Sequence, residues 1–142
     1  MKPEMPIDEV AEQRFNQYVY AYTLFAKNLI EAGVDRETVK MASDKAWGST
    51  GNETAKNIKA RMTAEDASAS IRQAGAYAMS IYGNEINTFS DEDTIYSQLV
   101  KCPWHDAAEA LGIPYEWRFC ESGYSSFADK VFKTLNPDII YI

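Results

Sequence analysis

Apolar residues recur at Ile7, Val10, Phe15, Tyr18, Val19, Tyr22, Phe25, Ala26, Leu29 and Ile30. This 3.6-residue period predicts one long core-facing helix opening at Pro6-Ile7-Asp8, with Gly33 as the left-handed residue that ends it. Asp35 is a good N-cap for a second helix, and Glu37 suits its first turn. Val39, Ala42, Ala46 and Trp47 give that helix an inner face. Gly48-Ser49-Thr50-Gly51-Asn52 then interrupts the pattern, and its Gly, Ser and Asn content favours a break. Glu53 to Met62 resumes as helix, with Ile58 and Met62 inward. Thr63-Ala64-Glu65-Asp66 resembles a capping box. The helix it opens carries Ala67, Ile71, Ala74, Tyr77, Ala78 and Ile81 on one face, until Gly83-Asn84 stops it.

At Gly83 the period changes to two. Glu85 to Phe89 reads as a strand, Ser90-Asp91-Glu92-Asp93 as a polar turn, and Thr94 to Val100 as a second strand. A short helix follows over Ala107 to Leu111, closed by Gly112. Tyr115 to Glu121 reads as one or two helical turns, Ser122 to Ser125 as a loop, and Ser126 to Leu135 as a helix. Asp138-Ile139-Ile140-Tyr141-Ile142 reads as a terminal apolar strand. An apolar edge of that kind invites pairing, so its expected place is inside the sheet or in a homodimer interface. The single change of period predicts an α+β fold: an N-terminal helical layer packed on a small, mostly antiparallel sheet. One domain over residues 1–142 is expected, with a helical half at about 6–83 and a cysteine-containing α/β half at about 84–142.

Composition narrows the partners. The net charge of −7 argues against nucleic acid, which requires a basic stripe. No apolar run approaches the roughly 18 residues needed to span a membrane, and Met1 to Pro6 has no signal-peptide core, so a cytoplasmic location is expected. Two cysteines in such a chain read as thiols rather than a structural disulfide. Aromatic content of 13% is high, and some of these rings could line a pocket.

The candidate chemistry lies in Lys101-Cys102-Pro103-Trp104-His105-Asp106. Proline suits the first helical position, which makes Cys102 the N-cap. A thiol there meets free N–H groups and the positive end of the helix dipole, and both favour the thiolate. His105, the single histidine, falls three residues on, within side-chain reach. Cys120 follows 15 residues after it. A bland reading competes: free cysteine is often a small core hydrophobe, and a histidine in a first turn is often a surface residue.

The segment Cys102-Pro103-Trp104, with Ala107-Ala108, Leu111-Gly112-Ile113, Cys120 and Leu135-Asn136-Pro137, resembles the L-2-amino-thiazoline-4-carboxylic acid hydrolase family. The likeness covers about the last 50 residues. It implies a small α/β protein that opens a thiazoline ring to a carbamoyl-cysteine, with Cys102 and Cys120 as recurrent thiols. Relatives continue past the Asn-Pro strand with another strand and a Gly-Asp…Cys segment. This chain ends at Ile142, so it is expected to be naturally short or incomplete.

Three functions remain open from the residues. The first is a small-molecule hydrolase acting on a cyclic C–N bond. Cys102 would be the nucleophile, His105 would move the proton, and Cys120 or Glu121 would assist, with Asp106 a candidate to orient the imidazole. Tyr22, Trp104, Trp117 and Tyr124 would wall its substrate pocket. The second is a zinc site using Cys102, His105 and Cys120 with water as fourth ligand. The third is a small-molecule sensor or binding domain without catalysis.

Overall fold

The computed structural model describes residues 6–61, 75, 78, 80, 82–91 and 94–140. The fold is α+β: helices come first, then a two-stranded antiparallel sheet, then further helices. The elements are α1 (Ile7–Glu31), α2 (Arg36–Arg61), β1 (Glu85–Ser90), β2 (Ile95–Lys101), α3 (Pro103–Ala110), a 3-10 turn (Tyr115–Trp117) and α4 (Cys120–Leu135). Gly75, Ala78, Ser80 and Tyr82 are also helical. The third helix expected to start at Thr63 otherwise lies outside the described residues.

The chain divides into two compact units. The first holds the described residues of Met1–Val39 and Pro103–Arg118, the second those of Lys40–Cys102 and Phe119–Ile142.

In the first unit, α1 ends as its sequence predicts. Gly33 adopts a φ of 92°, its N–H reaches the Ile30 carbonyl, and Val34 N–H reaches that of Leu29. Asp35 then caps α2: its carboxylate accepts from Thr38 N–H at 3.0 Å. α1 packs on α3. The centre of that contact is Trp104, 3% exposed, with Phe15, Tyr18 and Tyr22 edge-on to it at ring distances of 6.3, 5.8 and 5.7 Å. The α1 stripe is only partly core, however. Val19 is buried, whereas Ile7, Tyr18 and Phe25 remain exposed, because one short helix covers only part of a long apolar face. Arg118 fastens the end of the unit: Nε and Nη2 donate to the Ile113 carbonyl at 2.8 and 2.6 Å, and Nη1 pairs with Glu109.

The second unit packs α2 against α4. The expected break at Gly48 to Asn52 is absent, and α2 runs through it. The reason is non-local. A Cβ on Gly51 would collide with the Phe127 carbonyl, and one on Gly48 would touch Lys130 at 3.6 Å. These glycines let the two helix backbones approach, a gain that outweighs their poor helix propensity of about 1 kcal/mol. The predicted loop at Ser122 to Ser125 is likewise the first part of α4. Gly123 sits there because a Cβ would lie 2.5 Å from Trp47 Cδ1. Trp47, Tyr82 and Phe127 form the core around it. Tyr82 is 4.7 Å from Trp47 and 5.3 Å from Phe127, ring to ring.

The hairpin pairs Ile86 with Leu99 through Ser90 with Ile95, with an irregularity before Glu85↔Lys101. Its turn is held by Asp91, whose N–H donates to Thr94 O at 3.1 Å and whose carboxylate accepts from Thr94 N–H and Tyr96 OH. β2 is exposed along its length. The terminal strand expected from Asp138 needs correction within the described residues. Asn136 closes a turn instead, accepting from Asp138 N–H at its side chain and from Ile139 N–H at its carbonyl. Ile139 and Ile140 are not in a strand, and Ile140 is 83% exposed. Tyr141 and Ile142 lie outside the described residues.

Candidate functional site

Cys102 is the residue between the end of β2 and Pro103, the first residue of α3. The strand-to-helix junction predicted for it is therefore present. Cys120 is the first residue of α4. Both are free thiols and half-buried. The fold of the second unit places them close enough to interact: Cys102 is the main cause that raises the Cys120 thiol.

The neighbouring Cys102 sulfur, as hydrogen-bond acceptor, pushes the Cys120 thiol far above its ordinary range, and burial and the Cys102 charge push the same way. The N–H groups of Cys120 and Glu121 at the start of α4 oppose this by favouring a thiolate on Cys120. Ionisation of Cys120 is therefore disfavoured while Cys102 stands beside it, and the two thiols titrate as a pair.

Two further residues of the same unit were not singled out for chemistry. Tyr82, buried, donates its hydroxyl to the Cys120 carbonyl at 3.3 Å. Asn84 follows Gly83 and is 8% exposed, and its side-chain oxygen has no hydrogen-bond partner among the described residues. It directly precedes Glu85, which pairs with Lys101 at the base of the hairpin. The sequence marks Asn84 only as a helix-stop residue. Nothing local distinguishes it as a buried acceptor.

The other predicted site residues have different surroundings. His105 lies on α3 in the first unit, with its side chain 51% exposed and Nε2 3.9 Å from Glu109. Glu109 is held below the usual carboxylate range, mainly by its hydrogen bond and charge pairing with Arg118, and also by His105. Trp104 and Tyr22 do meet, but the Tyr22 ring is packed on the buried indole. Trp117, half-buried, ends the 3-10 turn of that unit. Tyr124 belongs to the second unit, edge-on to Tyr82 at 5.5 Å. Asp106, beside His105 on α3, is exposed. Among the described residues, no group of three or more His, Cys, Asp or Glu side chains is placed to hold a metal ion. No described helix is long and apolar enough to cross a membrane.

No protein-family model, curated protein or solved structure matches the chain.

Proposed function

We propose that the protein is a hydrolase of small cyclic or amidine-like C–N compounds, the class of reaction implied by its resemblance to the thiazoline hydrolases. The observation that supports this most directly is the pairing of two half-buried thiols in one unit, Cys102 at the strand-to-helix junction and Cys120 at the start of α4, with Cys102 raising the Cys120 thiol.

In this reading the Cys102 thiolate adds to the electrophilic carbon of the substrate. Addition consumes the charge on Cys102. That charge and its hydrogen bond are what hold the Cys120 proton, so Cys120 becomes a stronger acid once the adduct forms. It then protonates the departing nitrogen, water displaces the Cys102 sulfur, and the pair returns to its starting state. Asn84 supplies orientation. A buried acceptor without a donor costs about 1–3 kcal/mol, and an N–H of an amidine or ring nitrogen would recover part of that. His105 is given no step, because its ring is exposed beside Glu109.

The test is turnover of a cyclic amidine panel that includes 2-amino-thiazoline-4-carboxylate, with product followed by mass spectrometry. Cys102→Ala should abolish turnover, and Asn84→Ala should raise KM. Unchanged turnover in Cys102→Ala would sink this reading.

A further inference from the structure

α1 carries a second stripe that its contact with α3 leaves uncovered. Ile7, Ala11, Arg14, Tyr18, Ala21 and Phe25 are all exposed, and they follow one another at alternating steps of four and three residues. Steps of that kind keep side chains on one line along a helix. The line runs beside Phe15 and Tyr22, the residues that pack on Trp104. Ile7, Tyr18 and Phe25 are 86, 53 and 60% exposed. Apolar residues exposed singly are ordinary, but a continuous row of them marks an interaction surface. We propose that this stripe is a dimer interface, in which α1 of one chain packs antiparallel on α1 of a second copy.

The occupant follows from the symmetry of the stripe. With a twofold axis at Asn16, Ile7 lies opposite the second copy's Phe25, Ala11 opposite its Ala21, and Arg14 opposite its Tyr18. Every member of the stripe thus meets another member, as a two-fold interface requires. The alanine pairs let the helix axes approach, and the larger pairs fill the centre and the ends. Charge complementarity sets the direction. Antiparallel packing lays the Arg14 guanidinium on the Tyr18 ring, a cation–π contact, and places the positive end of one helix dipole beside the negative end of the other. Parallel packing would set Arg14 against Arg14 and like dipole ends together. A membrane surface fits less well. α1 holds Asp8, Glu9, Glu12 and Glu31 against Arg14 and Lys27, whereas a helix that lies on lipid is rich in Lys and Arg on its polar face. The area is adequate for a second copy. An aromatic side chain can bury about 150–250 Å², so the three large apolar residues offer on the order of 400 Å² per chain and roughly 800 Å² per pair. The Arg14 stem, the alanines and the adjoining surface along about 27 Å of helix bring the total to the low end of the roughly 1,200–2,000 Å² buried by stable interfaces. The dimer should therefore dissociate on dilution within the micromolar range.

The experiment is analytical ultracentrifugation of the full chain, kept reduced, from about 1 to 300 μM, read as a monomer–dimer dissociation constant. The wild type should pass from monomer to dimer as concentration rises. Ala11→Glu and Ala21→Lys each put a long charged side chain into the alanine contact. Both positions are exposed and helical, and Glu and Lys are good helix formers, so circular dichroism should not change. The dissociation constant should rise about tenfold or more in each single variant. The double variant Ala11→Glu/Ala21→Lys sets opposite charges across both alanine contacts of the antiparallel pair, and should return the constant to within about threefold of wild type. In a parallel pair the same double variant would set like charges together and weaken association further. A wild type that stays monomeric at the highest concentration, a dimer that neither single variant weakens, or a double variant no tighter than either single one would overturn the antiparallel α1 dimer. None of these readouts involves turnover, so the interface and the hydrolase reading stand or fall separately.

Discussion

The hydroxyl of Tyr82 donates a hydrogen bond to the carbonyl of Cys120 at 3.3 Å. Tyr82 is also a core residue, its ring packed at a tilt against those of Trp47 and Phe127. One side chain therefore ties the first residue of α4, and the thiol it carries, to the packed centre of the second unit. Tyr82→Phe keeps the ring and removes this bond. We expect a loss of about 1 kcal/mol in urea unfolding, together with faster alkylation of Cys120 as its backbone loosens.

Gly51 and Gly123 should respond to alanine with the opposite sign to an open helical glycine. At an unhindered position, Gly→Ala stabilises by about 0.4–1 kcal/mol. Here the added methyl meets the Phe127 carbonyl in one case and the Trp47 indole in the other. We expect each variant to lose about 1–3 kcal/mol through overpacking. Circular dichroism against urea reads this directly. Stabilisation of either variant would contradict the close approach of α2 and α4.

The thiol pair makes stability depend on alkaline pH. The Cys120 thiol is raised above its ordinary value, chiefly by its hydrogen bond to Cys102. The folded protein therefore holds a proton that the unfolded chain releases near the reference value of about 8.5. The unfolded state then binds fewer protons, so stability falls as pH rises. The contribution should be fully present below about pH 8.5 and lost progressively above it. In Cys102→Ser the fall should be shallower, because the charged partner is gone. The alkylation rate of Cys120 against pH is the companion measurement. It should stay low in the wild type at pH values where Cys120 in Cys102→Ser already reacts.

Trp104 should prove to be an anchor of the first unit. Its indole is enclosed by Phe15, Tyr18 and Tyr22. Trp104→Ala should cost about 3–5 kcal/mol. Trp104→Phe should recover much of that stability while leaving turnover unchanged. A Trp104→Phe protein that is stable but has lost substrate affinity would instead restore Trp104 to the pocket wall.

Much of the framework follows from the sequence alone. Gly33, Asp35, Pro103 and the change of period at Gly83 locate the end of α1, the start of α2, the junction at Cys102 and the hairpin. These signals are legible because each is local: a left-handed turn, a cap, a fixed φ and alternating side chains act within a few residues. Tertiary structure decided the rest. Gly48, Gly51 and Gly123 carry breaker chemistry locally, yet they lie inside helices because another helix or Trp47 needs the space their missing side chains leave. Ile139 and Ile140 have strand composition but form no strand, since a strand requires a partner edge. The influence of Cys102 on the Cys120 thiol and the burial of the Asn84 oxygen depend on how chain segments far apart in sequence come together, and no short-range pattern encodes that.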